Sequence, residues 1–230
     1  GLEESITFAQ LLERICKIDG LKRVRFMTSH PKDLSDELIE VMAKEPKICN
    51  HMHLPLQSGS DALLQKMNRH YTKADYLLIV DKLKSKIPDI ALTTDIIVGF
   101  PGETEEDFLE TMDVVSKVKY DSAFTFIYSK RTGTPAALMD NQIEEDVVKD
   151  RFDRLLELVQ TVGREKTGKY EGTVQEVLIE EVNEQDSTLV TGKMANNTTV
   201  HLPGDSSMIG KMYQVKLICC KGFYYMGEII

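Results

Sequence analysis

The chain has 230 residues, of which 42% are hydrophobic and 28% charged, with a formal net charge of −9. It shows no run of 18 apolar residues and no basic-then-apolar start, which argues against a membrane span and a secretory signal. The acidic balance disfavours a globally basic nucleic-acid binder and leaves room only for local basic patches. Cys16, Cys49, Cys219 and Cys220 follow neither a disulfide framework nor a metal spacing, which points to a reducing, cytoplasmic compartment. The start at Gly1, without an initiator Met, suggests an excised piece.

Taken in order, the first strand is expected over Leu21–Ser29. Ser35 then caps a helix over Asp36–Lys44, whose Asp36 and Glu37 sit at the positive end of the helix dipole. A second strand is expected over His51–Ser58, and Ser60 opens a short helix over Asp61–Asn68. Thr72 and Asp75 have the spacing of a capping box for Lys73–Lys86, with an apolar stripe of Leu77, Val80, Leu83 and Ile87, and Pro88 stops it. A third strand reads over Ala91–Phe100. Thr104 and Asp107 repeat the capping device for Glu105–Val118, turning Phe108, Met112 and Val115 inward. The fourth strand is Ala123–Ser129.

Alternating strands and helices define an α/β fold with a parallel sheet. A closed eight-stranded barrel takes about 250 residues, so four units make only a partial, open TIM-like barrel that lacks its first strands. The Leu21 strand would then be an edge. This first domain is expected over 1–142, and a linking helix over 143–166 carries an apolar seam of Val148, Phe152, Leu155, Val159 and Val162. From 167 to 230 only five short strands remain, as in a small all-β barrel of the oligonucleotide-binding type. This tail holds five Lys, no Arg and eight acidic residues, which gives weak electrostatic support for RNA.

In parallel βα sheets ligands gather beyond the carboxyl ends of the strands. Those ends read Thr28-Ser29-His30-Pro31, Gln57-Ser58-Gly59-Ser60, Gly99-Phe100-Pro101-Gly102-Glu103 and Ser129-Lys130-Arg131-Thr132-Gly133. Gly99 and Gly102 would let backbone approach a ligand, Gln57 and Ser58 supply donors and acceptors, and Arg131 suits a carboxylate or phosphate. Cys49, His51 and His53 alternate on one strand face. At roughly 3.3 Å per residue, however, the outer two lie about 13 Å apart, at the limit of joint reach, so a metal would need His51 and His53 plus ligands from elsewhere; the favoured reading of His53 is a hydrogen-bonded polar residue facing the sheet interior. Lys66, Arg69, His70 and Lys73 form a local basic cluster beside the Gln57 tip. Phe223 and Tyr225 share one face of the last strand and Tyr224 takes the other.

Five ordered strings carry a resemblance. TSHP at Thr28–Pro31, LPLQSGSD at Leu54–Asp61, KMNRHYT at Lys66–Thr72, DIIVGFPGETEEDF at Asp95–Phe108 and SKRTGTPAA at Ser129–Ala137 resemble the radical-SAM methylthiotransferases. The tail, with GTVQEVLIEEV at Gly172–Val182 and TGKMANNTTVHLPG at Thr191–Gly204, is similar to that family's TRAM domain. The resemblance implies a transferase that uses S-adenosylmethionine and two [4Fe-4S] clusters to place a methylthio group on C2 of N6-isopentenyl-adenosine 37 in the anticodon stem-loop of tRNA. Family members that modify ribosomal protein S12 carry His-Ala where this chain has Ser58-Gly59; those acting on threonylcarbamoyl-adenosine remain an alternative, as does a non-catalytic RNA-binding module.

The resemblance further implies that Gln57 and Ser58 face the ribose or methionine of S-adenosylmethionine. Asp95 and the Gly99, Gly102, Glu103 segment would lie by its adenine, and Ser129 and Arg131 would face the shared pocket. Lys66, Arg69, Lys73, Lys193 and Lys211 are the candidate RNA contacts. No two cysteines have the family's cluster-binding spacing, so the piece is expected to be inactive alone, to hold no cluster, and to lack the N-terminal cluster domain and first barrel strands.

Overall fold

A computed structural model describes residues 5–27 and 30–230. Two bodies of structure are joined by one long helix. In the first, helices α1 (Phe8–Cys16), α2 (Asp36–Lys44), α3 (Asp61–Lys66), α4 (Lys73–Lys86) and α5 (Glu105–Val118) accompany strands β1 (His51–His53), β2 (Ala91–Val98) and β3 (Ser122–Ile127). The strands pair in parallel in the order β1-β2-β3, with His53 opposite Thr93 and Asp95 opposite Phe124. Helix α6 (Glu145–Thr167) packs on α5 and β3 and leads to β4 (Val174–Val182), β5 (Leu189–Lys193), β6 (Thr199–Pro203), β7 (Met212–Cys220) and β8 (Tyr224–Ile229). These last five close into a barrel in the order β4-β5-β6-β8-β7. The fold is therefore a partial parallel sheet followed by a five-stranded barrel, as the sequence predicts.

The capping signals act as expected. The Thr72 and Thr104 side chains each accept from the backbone N–H three residues on, and Asp75 and Asp107 return the bond to their caps. Helix α1 begins with the same device, Thr7 with Gln10, and was not expected. The seam of α6 is buried at Val148, Leu155, Val159 and Val162.

The Leu21–Ser29 strand is not formed. Among the described residues it makes only a single parallel bridge, Val24 with Ile48, and Thr28 and Ser29 lie outside the described residues. Its backbone pairs only at Val24, whose N–H donates to the Lys47 carbonyl and whose carbonyl accepts from Cys49 N–H. Arg23 and Arg25 flank Val24 and turn to the β-barrel, where Arg23 Nη1 donates to the Lys193 carbonyl at 2.8 Å and Arg25 Nη2 to the Met194 carbonyl at 2.9 Å.

The expected His51–Ser58 strand is likewise cut to three residues, because the next two groups that face β2, the Leu54 carbonyl and the Leu56 N–H, are both taken by the Thr94 side chain. The ladder is bypassed by side chains. Thr94 Oγ1 donates to the Leu54 carbonyl at 2.8 Å and accepts from Leu56 N–H at 2.9 Å. Tyr76 Oη donates to the same Leu54 carbonyl at 2.8 Å, and Tyr71 Oη donates to the Leu56 carbonyl at 2.8 Å. Pairing resumes at Gln57, whose N–H donates to Asp95 O and whose carbonyl accepts from Ile97 N–H. Tyr120 Oη completes the array by donating to Tyr76 Oη at 2.8 Å.

Tyr76 and Tyr120 are buried, so Tyr76→Phe strands the Tyr120 hydroxyl and removes a bond from the Leu54 carbonyl. An unsatisfied buried hydroxyl costs roughly 1–3 kcal/mol; urea denaturation of the variant should show a loss of that size.

Candidate functional site

Alternation along β2 sends Leu92, Thr94, Ile96 and Val98 into the buried helix side. Thr93, Asp95 and Ile97 take the opposite, concave face, which a full barrel would enclose. Two cavities lie along that face. The upper one, about 680 Å³, lies at the carboxyl ends of the strands and is lined by Gln57, Asp95, Phe100, Tyr128, Ser129 and Arg131, among others. The lower one, about 670 Å³, lies between the sheet and the β-barrel and meets Arg25, His51, His53, Thr93, Phe124 and Lys193.

Of the eight predicted cofactor residues, the upper cavity collects Gln57, Asp95, Ser129 and Arg131. Gln57 holds a left-handed backbone, φ 66°, an uncommon conformation for a side-chain-bearing residue. The other four are placed elsewhere. Ser58 is fully buried behind the sheet, where its Oγ accepts from Ser60 N–H and lies 3.4 Å from Thr111 Oγ1. At Gly99 (φ +78°) a Cβ would come within 2.7 Å of Val148 Cγ2 on α6, and at Gly102 (φ +78°) it would collide with Asn141. At both glycines the space that a Cβ would take is filled by the protein's own chain.

Glu103 is buried in an ion pair with Arg151 Nη1 at 3.0 Å, and it also accepts from Gly99 N–H at 2.9 Å. Burial raises its pKa against the pull of those two donors. Its role is to tie the β2–α5 turn to α6.

The five candidate RNA contacts occupy separate elements. Arg69 lines the upper cavity, and Lys66 ends α3. Lys73 is engaged by Asp113 at 3.0 Å. Lys193 donates to Thr199 Oγ1 at 2.6 Å beside the lower cavity, and Lys211 lies exposed before β7.

Three features escaped the sequence reading. Arg23 and Arg25 dock the barrel through main-chain carbonyls, supplemented by Glu176 at 3.5 Å and Glu180 at 3.2 Å. Tyr128 lines the upper cavity edge-on to Phe100, and its Oη is buried with no hydrogen-bond partner among the described residues. A polar array also runs along the concave face. His51 Nε2 lies 3.1 Å from Thr93 Oγ1, which lies 3.0 Å from His53 Nδ1, and His53 Nε2 lies 3.2 Å from Asp95 Oδ2. The sequence placed His53 facing this interior, and it does.

Among the described residues no three of His, Cys, Asp or Glu stand together in an arrangement that would hold a metal ion. No helix there is long and apolar enough to cross a membrane. In the barrel, Tyr225 is fully buried while Phe223, one residue before β8, stays exposed.

The radical SAM superfamily profile matches residues 5–115, and the TRAM domain profile matches residues 168–230. The chain carries a radical SAM segment followed by a TRAM domain. Two curated relatives are named tRNA-2-methylthio-N(6)-dimethylallyladenosine synthase. That of Lachnoclostridium phytofermentans is 61% identical over 229 residues, covering 100% of this chain and 50% of its own length. That of Alkaliphilus oremlandii is 54% identical, covering 100% and 49%. The chain thus spans about half the length of the curated relatives it matches. Among solved structures, coproporphyrinogen III oxidase from Escherichia coli superposes with a TM-score of 0.56 at 14% identity, covering 90% of this chain and 51% of that one; it shares the fold.

Burial, followed by the nearby charge of Arg25, lowers the His51 pKa from 6.5 to about 4. The folded state therefore prefers the neutral ring. The resulting stability is complete above pH 6.5 and is lost as pH falls toward 4. His30 and His201 are lowered in the same direction, chiefly by burial, so the comparison with a variant isolates His51. Melting temperatures across this window should fall less steeply in His51→Gln than in the parent.

Proposed function

We propose that this chain is a portion of a radical SAM tRNA methylthiotransferase. It would supply a three-stranded part of the barrel and the TRAM domain of a cytoplasmic enzyme that adds a methylthio group to C2 of N6-isopentenyl-adenosine 37. The observation that carries this reading is identity above 50%, maintained across the whole chain, with relatives bearing that enzyme's name, together with a cavity at the strand ends that gathers Gln57, Asp95, Ser129 and Arg131. Within it, 1–142 is the barrel portion, 143–166 the connecting helix and 167–230 the RNA-facing domain. The anticodon stem-loop is the proposed RNA partner.

The upper cavity suits S-adenosylmethionine on its own chemistry. An orphaned buried hydroxyl on Tyr128 calls for a partner that a polar ligand would provide. Asp95 offers a carboxylate acceptor for hydroxyl donors, Gln57 offers both a donor and an acceptor, and Arg131 matches a carboxylate in bidentate fashion. Phe100 and Tyr128 supply an aromatic wall. When bound, the cofactor supplies the radical chemistry; these residues bind and orient it.

Iron–sulfur clusters do not fit the residues described. Cys16 and Cys49 are buried in the first body, Cys219 and Cys220 belong to β7, and thiolate clusters need several cysteines converging. No step is assigned to a cluster here. In this reading both clusters are held by parts of the enzyme outside this chain.

Two measurements test the reading. The longer protein, reconstituted anaerobically, should convert isopentenylated, unthiolated tRNA to its methylthio form; two bound clusters with that RNA left untouched would falsify the assignment. In the 230-residue chain, Tyr128→Phe should weaken S-adenosylhomocysteine binding by roughly tenfold, the size of one hydrogen bond at the upper end. The same substitution should leave the unliganded chain as stable as the parent or more so, because it removes an unsatisfied hydroxyl. Unchanged affinity would exclude Tyr128 from the ligand's contacts.

A further inference from the structure

The array on the concave face has a definite polarity, and that polarity follows from one end. Asp95 Oδ2, as a carboxylate oxygen, can only accept, so His53 must present Nε2–H to it. A neutral imidazole then has a bare Nδ1, which must accept the Thr93 hydroxyl proton across 3.0 Å. The Thr93 oxygen, having given its proton, accepts in turn from His51 Nε2–H at 3.1 Å. With both rings neutral, no other arrangement satisfies all three contacts. His51 and His53 are buried, so water does not substitute for a missing partner at low cost.

The geometry points to a directional hydrogen-bond chain, His51 to Thr93 to His53 to Asp95, that orients the Asp95 carboxylate toward the upper cavity and joins that cavity to the lower one at the TRAM contact. Asp95 is the only member that lines the upper cavity, and the other three line the lower one. Its side chain keeps 28% exposure, and its second oxygen makes no hydrogen bond among the described residues, so one oxygen is held while the other is presented. At the far end, Arg25 and Lys193 bear on His51, and both belong to the contact between sheet and barrel. Two cations there disfavour a proton gained by His51 and so keep the chain in its neutral polarity. Thr93, His53 and His51 are positioning residues in this scheme, since only Asp95 borders the ligand space. The ligand part of this inference rests on the upper cavity being the S-adenosylmethionine site; the hydrogen-bond polarity does not.

Long-range proton–nitrogen correlation spectra of the 15N-labelled 230-residue chain at neutral pH read the polarity directly. The parent should show a proton on Nε2 and a bare Nδ1 for both His51 and His53. Thr93→Val should release the single tautomer of His51 while His53, still donating to Asp95, keeps its proton on Nε2, and Thr93→Ser should restore the His51 pattern. A parent His53 that carries its proton on Nδ1, or a Thr93→Val variant in which His51 keeps its single tautomer, overturns the chain. The parent spectrum decides this even if Thr93→Val fails to fold.

Calorimetric titration with S-adenosylhomocysteine reads the consequence. Thr93→Val should weaken binding roughly threefold to tenfold, the range of one hydrogen bond, and Thr93→Ser should recover it. Expected tautomers with equal affinity in all three proteins overturn the positioning role. Expected tautomers with no binding in the parent uphold the chain and overturn the ligand reading of the upper cavity, so the two failures are distinguishable.

Discussion

The break in strand pairing between Leu54 and Leu56 is the constraint on which the first half of the molecule is arranged. There the Leu54 carbonyl and the Leu56 N–H face β2 without a backbone partner, and both must still be satisfied in a dry interior. Here Thr94 reaches across from β2 to act as both donor and acceptor, while Tyr71 and Tyr76 come from outside the sheet to donate to the carbonyls on either side. The hydroxyls of Tyr71 and Tyr76 are raised in pKa by burial, Tyr71 to about 12, so they remain donors. The outcome is a strand that ends early yet regains its ladder at Gln57 in a left-handed conformation, at the mouth of the upper cavity. The interruption of the sheet is thus part of what forms the cavity wall.

The connecting helix supplies the second restraint. Its Val148 fills the space above Gly99, and its Arg151 neutralises the buried Glu103. The turn after β2 is therefore held from behind by α6, and only the concave side is left for a ligand. A buried carboxylate without its arginine would be expensive, which fixes the distance between turn and helix more firmly than apolar contact alone. The residues that make the turn look like a ligand loop are the ones that let the helix approach.

What the sequence revealed divides along the range of the interactions. The capping boxes at Thr72 and Thr104 were readable because cap and partner lie three residues apart. Thr7 with Gln10 carries the same three-residue signal and marks α1. The packing of Val148 and Asn141 against Gly99 and Gly102 was not readable, because those partners are distant in sequence and nothing local marks a glycine that makes room for another part of the chain. The Leu21 segment alternates like a strand, with Val24 on one side and Arg23 and Arg25 on the other. Only the position of the β-barrel shows what the two arginines bind. Tyr128 gave no pattern at all; its significance is an unpaired hydroxyl, which exists only in three dimensions.

The way those two arginines grip the barrel has a consequence for how the protein can change over time. Their shortest bonds fall on the carbonyl oxygens of Lys193 and Met194, groups that every amino acid provides. The attachment is consequently indifferent to which side chains stand at those positions. The barrel's loop at that contact can diverge in composition, and with it the surface shown to a partner, without loosening its seat on the sheet. Recognition and assembly are written in different atoms of the same residues, and one can be revised while the other stays fixed.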